Sequence, residues 1–254
     1  MDTQQNEFVE TIIENKVATI TFSHPASNSF PSTQLKNLTA QINDLNENDT
    51  VSVIILKSAG EGAFCAGASF DELLSVSTLE EGKEFFSGFA NVINAMRTSK
   101  KLIIGRVQGK AVGGGVGLAS ACDYVFATDY AAVKLSELAI GIGPFVIEPA
   151  VSKKIGKTAM FQLTLAAHEW REAQWAFENG LYSEIFNSIS DMDSALGVFA
   201  AKLTSYNPKA LYEMKKVLWE NTSHWETLLY ERAAISGELV LSDFTKNALN
   251  QFKK

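Results

Sequence analysis

Two segments of this 254-residue chain share one layout: an apolar run, then small residues, then a stretch with helical character. In the first, VIILKS at 53–58 leads to FCAGASFDEL at 64–73, and in the second, IIGRVQGKAV at 103–112 leads to GGGVGLASACD at 113–123. The four consecutive apolar residues at 53–56 are typical of a strand that is covered on both faces. Two strands that each pass through a small-residue turn into a helix predict an α/β core.

The remainder of the N-terminal half agrees with that prediction. Residues 8–14 and 17–23 have the pattern of two strands joined by a short turn, which predicts a hairpin. Apolar residues spaced by three or four predict helices over 33–47 and 80–96. Strands and helices therefore alternate up to the second glycine cluster.

The C-terminal part has a different character. After about residue 145 the spacing of apolar residues predicts mostly helices, with no long linker and no low-complexity segment. One domain with an extension fits this pattern better than two independent domains. We expect a core over residues 1–195 and a helical C-terminal extension over residues 196–254 that takes part in oligomerisation.

Composition excludes several classes of protein. Hydrophobic residues make up 46% of the chain and charged residues 20%, which is typical of a globular protein and not of a disordered one. The formal net charge of −7 disfavours binding of nucleic acid through bulk charge, and no apolar run is long enough to span a bilayer. The polar start MDTQQNEF, two cysteines and three histidines lead us to expect a reduced, cytoplasmic protein without a metal site.

The two glycine-containing turns suggest one kind of chemistry. Small residues let backbone N–H groups approach a ligand closely, and the first N–H groups of a helix have no partner within it. The backbone N–H groups of two such turns placed face to face would bind one carbonyl oxygen as negative charge develops on it. Such an arrangement is called an oxyanion hole. The alternative is that the glycines serve tight turns and close packing of helix on strand. Neither turn matches a phosphate-binding loop or a dinucleotide fingerprint.

Three motifs together resemble the crotonase, or enoyl-CoA hydratase/isomerase, superfamily. They are FCAGASFDEL, GKAVGGGVGLASACDYVFAT and KLSELAIGIGP, which occur in this order and at these separations. The segment HPASN at 24–28 is similar to the first acyl-CoA-binding loop of the family. The resemblance runs from about residue 8 to about 235, and it is specific to the superfamily rather than to one reaction.

The resemblance implies a fold, a substrate and a set of site residues. The fold would be a spiral of ββα units with a helical C-terminal region, and the substrate an acyl-CoA thioester, so that no separate cofactor is needed. The oxyanion donors would be the backbone N–H groups of Ala68 and Gly114. The residues that the resemblance places at the substrate are Ala26, Ala66, Gly67, Ser69, Gly113 and Pro144.

The carboxylates are where the sequence departs from the hydratases that it resembles. Of their two glutamates, the second matches Glu137, but the first position is Gly117. A hydratase must activate water and deliver a proton, whereas a double-bond isomerase needs one base that moves a proton between two carbons. Glu148 is a candidate for the missing second carboxylate; alternatively, it is an acid that begins a helix and is favoured there by the helix dipole.

These observations lead to an expected function and its alternatives. We expect an enoyl-CoA hydratase-type enzyme that adds water to a short or branched 2-enoyl-CoA, with Glu137 as the acid and base. The first alternative is an enoyl-CoA isomerase that uses the same single glutamate. The others are a non-catalytic acyl-CoA binder or an RNA binder, although neither a nucleic acid nor a membrane is an expected partner.

Assembly is predicted mainly by the resemblance, which implies a homotrimer or a dimer of trimers. The C-terminal helices also carry more apolar surface than a peripheral helix needs, in Trp219, Trp225, Leu228, Leu229 and Tyr230.

The predicted helix at 80–96 carries three aromatic residues, Phe85, Phe86 and Phe89. They either line an acyl pocket or form the buried face with which the helix packs on the core.

Overall fold

The computed structural model describes residues 6–252. The first five residues of the polar segment MDTQQNEF, and the last two residues of the predicted C-terminal extension, lie outside the described part of the chain.

The described residues form a mixed α/β structure around a six-stranded sheet with the order β1-β2-β3-β4-β6-β8. Its strands are β1 (Phe8–Glu14), β2 (Val17–Ser23), β3 (Val53–Ser58), β4 (Leu102–Val107), β6 (Tyr124–Thr128) and β8 (Glu184–Phe186). The pair β1–β2 is antiparallel and the other neighbours are parallel. A second, two-stranded parallel sheet pairs β5 (Ala111–Val112) with β7 (Val133–Lys134).

Helices follow the strands and cover both faces of the large sheet. They are α1 (Ser32–Asn46), α2 (Phe70–Ser75), α3 (Leu79–Thr98), α4 (Gly114–Ala121), α5 (Glu148–Leu165), α6 (Ala173–Glu178), α7 (Ile189–Thr204), α8 (Pro208–Leu218), α9 (Trp225–Leu239) and α10 (Asp243–Phe252). A 3₁₀ turn, Glu137–Ile140, follows β7. The predicted α/β fold with a helical C-terminal region is therefore confirmed.

The strand β3 shows why a continuous apolar run belongs in the middle of this sheet. Ile54 and Leu56 pack in the main core, whereas Val53 and Ile55 pack on the other face with residues of α7. Side chains alternate between the two faces of a strand, so cover on both sides requires apolar residues at every position. The predicted burial of both faces is confirmed.

The C-terminal helices are integral to the subunit core. The predicted division at residue 195 falls inside α7 and therefore does not coincide with an element boundary. Residues on both sides of it, such as Met192 and Leu196, pack on the same face of the sheet.

The structure also corrects our expectation about the apolar surface of the C-terminal helices, because Trp219, Trp225 and Leu229 are buried in the main core. Because α9 packs against α3 of the same chain, these residues give no physical support to the predicted trimer.

A buried ion pair ties α8 to the sheet. The Lys215 ammonium donates to Oδ2 of Asp123 at 2.8 Å and to the backbone carbonyl of Lys101 at 2.8 Å. The remaining acceptor capacity of Asp123 is used by Trp219 Nε1 at 2.7 Å and by the backbone N–H of Ile103 at 2.7 Å. Asp123 is therefore a structural residue, which joins α8 to the start of β4.

Within residues 6–252, no helix is long and apolar enough to cross a membrane.

Candidate active site

The two glycine-containing turns and the 3₁₀ turn enclose one cavity of about 140 Å³. Its wall includes Ala66, Gly67 and Ala68 from the first turn and Gly113 and Gly114 from the second. Most of the remaining wall is hydrocarbon, contributed by Phe70, Leu73, Phe85, Phe86, Phe89, Val112, Ile140, Ile142, Pro144, Phe145, Val146 and Ile147. The aromatic residues of α3 therefore both pack in the core and line the cavity.

Short backbone contacts hold the two turns against each other. The N–H of Val112 donates to the Cys65 carbonyl at 2.9 Å. A Cβ placed on Gly67 would lie 3.4 Å from the nitrogen of Gly114 and 3.1 Å from the carbonyl oxygen of Val112. Gly67 also has a φ of +90°, a conformation that L side chains rarely adopt. Only glycine allows this close approach.

The N–H groups of Ala68 and Gly114 are available to a ligand. Gly114 is the first residue of α4, so its N–H has no acceptor within the helix. The neighbours of Ala68 are engaged with Phe30, whose N–H donates to Gly67 and whose carbonyl accepts from Ser69. In the described part of the chain, neither the Ala68 N–H nor the Gly114 N–H donates a hydrogen bond. Both residues line the cavity, as an oxyanion hole requires.

The loop at 24–28 is fastened to the first turn by a buried asparagine. Asn28 Nδ2 donates to the carbonyls of Ala59 and Ala63, at 3.2 and 2.9 Å, and Asn28 Oδ1 accepts from the His24 N–H. The N–H of Ala66 in turn donates to the Ser27 carbonyl at 3.1 Å. These contacts place the exposed loop beside Ala66, at the outer end of the first turn.

Glu137 provides the ionisable group of the cavity. It is the first residue of the 3₁₀ turn, and a Cβ placed on Gly113 would lie 2.7 Å from its Oε1 atom. The residue as a whole is half-buried, but Oε2 is buried and has no hydrogen-bond partner within residues 6–252. Burial raises the pKa of Glu137 to about 7. The carboxyl group can therefore both accept and donate a proton near neutral pH.

The other residues singled out from the sequence divide into two groups. Pro144 lines the cavity, together with the predicted residues already named from the two turns. Ala26 is exposed on the loop beside Ala66, and the Ser69 hydroxyl caps α2 by accepting from the Glu72 N–H at 3.3 Å. Neither contributes to the cavity wall.

Glu148 does not reach the cavity. It begins α5 and lines a separate groove, where the Ser152 hydroxyl donates to its Oε1 atom at 2.6 Å. The structure therefore does not bring the candidate second carboxylate to Glu137. Its position at the start of a helix agrees with the alternative interpretation, an acid stabilised by the helix dipole.

The sequence did not reveal which residue takes the place of a second carboxylate. Ile147 lines the cavity and lies against Gly117, where a Cβ would be 2.4 Å from its Cγ2 atom. The two positions are far apart in the sequence, and no periodic pattern links them. Besides Glu137, the described polar side chains in the wall are the hydroxyls of Ser136 and Ser236.

Comparison with known proteins agrees with this geometry. A sequence model of the enoyl-CoA hydratase/isomerase family matches residues 12–252. The chain belongs to the enoyl-CoA hydratase/isomerase family. It is therefore an enzyme of this family by descent, and the resemblance seen in its three motifs is confirmed.

Individual relatives of the family carry out different reactions. The chain is 29% identical to the short-chain-enoyl-CoA hydratase of Clostridium acetobutylicum, over 94% of this chain and 92% of the relative. It is 28% identical to the peroxisomal Delta(3,5)-Delta(2,4)-dienoyl-CoA isomerase of Arabidopsis thaliana, over 70% of this chain and 67% of the relative. The crystal structure of an enoyl-CoA hydratase from Bacillus halodurans superposes with a TM-score of 0.88 at 21% identity, covering 96% of this chain and all of that one.

Gly114→Ala is expected to damage the predicted oxyanion hole. The new Cβ would lie 2.3 Å from the Phe89 ring, so either the ring or the start of α4 must move, and the Gly114 N–H moves with it. Loss of one oxyanion donor typically lowers kcat by about 10²–10³. Steady-state kinetics on enoyl-CoA thioesters measures the effect.

Gly62→Ala is the control, because Gly62 lies just before the first glycine-containing turn and a Cβ there would contact nothing within 4 Å. We expect its kcat to stay near that of the wild type. Equal losses in both variants would mean that the enzyme is sensitive to glycine-to-alanine changes in general and not to the position of the Gly114 N–H.

The raised pKa of Glu137 predicts a pH-dependent stability. Between pH 4.5, the ordinary pKa, and about pH 7, the folded protein keeps a proton that the unfolded chain has lost. The free energy of unfolding therefore falls as the pH rises through this window, by about 3 kcal/mol in total. Glu137→Gln should remove this loss. Thermal unfolding should show the variant to be more stable than the wild type at pH 8 and nearly equal to it at pH 4.5; an equal difference at both pH values contradicts the raised pKa.

Proposed function

We propose that this protein is an isomerase that moves the double bond of an enoyl-CoA with a short, uncharged acyl group between the β,γ and α,β positions. The observation that carries the proposal is that Glu137 is the one carboxylate in the described cavity wall, while the wall residues that lie against Gly114 and Gly117 are the hydrocarbon side chains of Phe89 and Ile147. A reaction that needs one acid–base group and no bound water suits this site better than hydration does.

The reaction would begin with a proton transfer to Glu137. The carboxylate takes a proton from Cα of the β,γ-unsaturated thioester, and the electron pair of that C–H bond delocalises onto the thioester oxygen. The N–H groups of Ala68 and Gly114 stabilise the resulting dienolate, since both are free and face the cavity. Glu137 then returns the proton to Cγ, the double bond moves to the α,β position, and no atom is gained or lost.

The pKa of Glu137 suits both halves of this cycle. An acid–base group works best when its pKa lies near the working pH, because both protonation states are then populated. Burial places the pKa of Glu137 at about 7. We expect kcat/KM for the β,γ-unsaturated substrate to rise with pH through about 7, since the first step needs the carboxylate.

The size and polarity of the cavity limit the acyl chain. An apolar cavity of about 150 Å³ takes up a benzene-sized molecule, and the cavity here has a volume of about 140 Å³. No lysine or arginine lines it within the described residues, so a second carboxylate on the acyl chain would be buried without a partner. The proposed substrate therefore has a short hydrocarbon acyl group.

Hydration of an α,β-unsaturated thioester is the second candidate. It is favoured by the Ser136 hydroxyl, which lies in the cavity wall next to Glu137 and offers one further group to hold a water. A buried water typically makes about three hydrogen bonds. Because Glu137 must itself act as the acid and base, the described wall leaves only the Ser136 and Ser236 hydroxyls to hold that water, and we therefore place this candidate second.

A panel of thioesters in heavy-oxygen water tests the proposal. Crotonyl-CoA, its β,γ-isomer and longer and branched homologues, including one with a terminal carboxylate, are incubated with the enzyme and the products analysed by mass spectrometry. We expect a shifted double bond without heavy oxygen, and turnover that declines with chain length. Incorporation of heavy oxygen at Cβ as the main outcome would overturn the proposal in favour of hydration.

A further inference from the structure

Gly117 and Ile147 form a complementary pair at the side of the cavity. Gly117 lies on α4, one turn after the oxyanion donor Gly114, and Ile147 immediately precedes α5. A Cβ on Gly117 would lie 2.4 Å from Cγ2 of Ile147 and 2.8 Å from its Cβ. The Ile147 side chain thus occupies the space into which any side chain at position 117 would project.

The Ile147 side chain makes this side of the cavity apolar. Ile147 is 4% exposed and lines the same cavity as Glu137. The neighbouring wall residue Val146 is also buried and apolar. A water placed against these side chains would lack the polar partners that a buried water needs. A reacting enolate at Gly114 would therefore face hydrocarbon on the α4 side, where Ile147 and Val146 offer no polar group to hold a water.

We propose that Ile147 determines the reaction specificity of the site by excluding the water that would otherwise add to the substrate. The inference rests on the proposed isomerase function. In hydration, the water oxygen bonds to Cβ, the π electrons move to the thioester oxygen, one water proton is taken up by a base, and Cα is protonated. With Ile147 in place, neither a second carboxylate at position 117 nor a water fits on the α4 side of the substrate. The reaction that remains is the return of the proton from Glu137 to the substrate carbon.

The steric part of the inference is tested by a double-mutant cycle that does not depend on activity. Gly117→Ala, Ile147→Ala and the double variant are compared with the wild type by thermal and urea unfolding. We expect Gly117→Ala to destabilise the wild-type background and to be tolerated when Ile147 is replaced, because the new methyl group then has room. Additive effects would show that the two side chains do not compete for one space.

The chemical part is tested by restoring a carboxylate. Gly117→Glu alone should fold poorly, because the glutamate meets Ile147, so the test variant is Gly117→Glu with Ile147→Ala. In heavy-oxygen water with crotonyl-CoA, we expect its ratio of hydrated to isomerised product to exceed that of the wild type by roughly 10²-fold, the smaller gain attributed to a general acid or base. Ile147→Ala alone should raise the ratio by less.

Ile142→Ala is the matched control, since Ile142 is a buried isoleucine of the same cavity wall that is not in the way of position 117. It enlarges the cavity by the same side-chain volume and should leave the ratio unchanged. An equal rise for Ile142→Ala, or a folded double variant with the wild-type ratio, would overturn the role of Ile147. A wild-type enzyme that mainly hydrates would overturn both the isomerase proposal and the exclusion of water by Ile147, whereas failure of the Ile147 variants alone would leave the isomerase proposal standing.

Discussion

Glu137→Gln is expected to lower turnover of enoyl-CoA thioesters by about 10²–10⁴, with binding of the thioester largely retained. The amide keeps the shape of the side chain but cannot accept a proton, and no other carboxylate of the described cavity wall can replace it. Steady-state kinetics gives kcat and KM, and calorimetric titration with a saturated acyl-CoA measures binding separately. The loss should therefore appear in kcat.

Glu148→Gln is the matched control for this prediction. Glu148 bears the same side chain eleven residues after Glu137, but it lines a separate groove and accepts a hydrogen bond from Ser152. We expect it to cost much less turnover. If Glu137→Gln stays active while Glu148→Gln is inactive, the assignment of the acid–base group is wrong.

Lys215→Met is expected to cost about 3–5 kcal/mol of unfolding free energy. The side chains of Lys215 and Asp123 are 2% and 4% exposed, so removing the ammonium leaves a buried carboxylate without its counter-ion. Burial lowers the pKa of Lys215 and the Asp123 charge opposes that shift, as expected for a cation held by its partner. Urea unfolding of the wild type and the variant gives the difference.

Lys216→Met provides the control one residue further along α8. Lys216 is exposed and pairs with Glu213 on the same helix, and such surface pairs contribute little. We expect its unfolding midpoint to stay close to the wild-type value. If the two methionine variants lose stability equally, α8 is held by its general packing and not by the buried ion pair.

The elements that sequence patterns predicted well are those whose burial depends on local spacing. The hairpin predicted at 8–14 and 17–23 is found as β1 and β2, and the helix predicted over 80–96 is found as α3, Leu79–Thr98. Asn15 and Lys16 both have positive φ, as a two-residue hairpin turn requires. In each case the apolar period within one segment decides which side faces the core.

What the sequence did not predict depends on pairs of distant residues. Trp219 and Trp225 are as apolar as interface residues would be, and only their burial against distant segments of the same chain shows that they are core. Likewise, Gly117 indicates a missing carboxylate, but only the structure shows that the Ile147 side chain fills its place.

The predicted trimer or dimer of trimers stays a prediction that rests on the family resemblance.

The central claim, that one glutamate moves one proton between two carbons of the substrate, is tested most directly by following that proton. A short β,γ-enoyl-CoA carrying deuterium at Cα is converted in ordinary water, and the early product is analysed by mass spectrometry and NMR. Because Oε2 of Glu137 is buried, exchange with solvent should be incomplete, and we predict that part of the deuterium appears at Cγ of the α,β-unsaturated product. A product that carries a hydroxyl group at Cβ and no deuterium at Cγ would contradict the account.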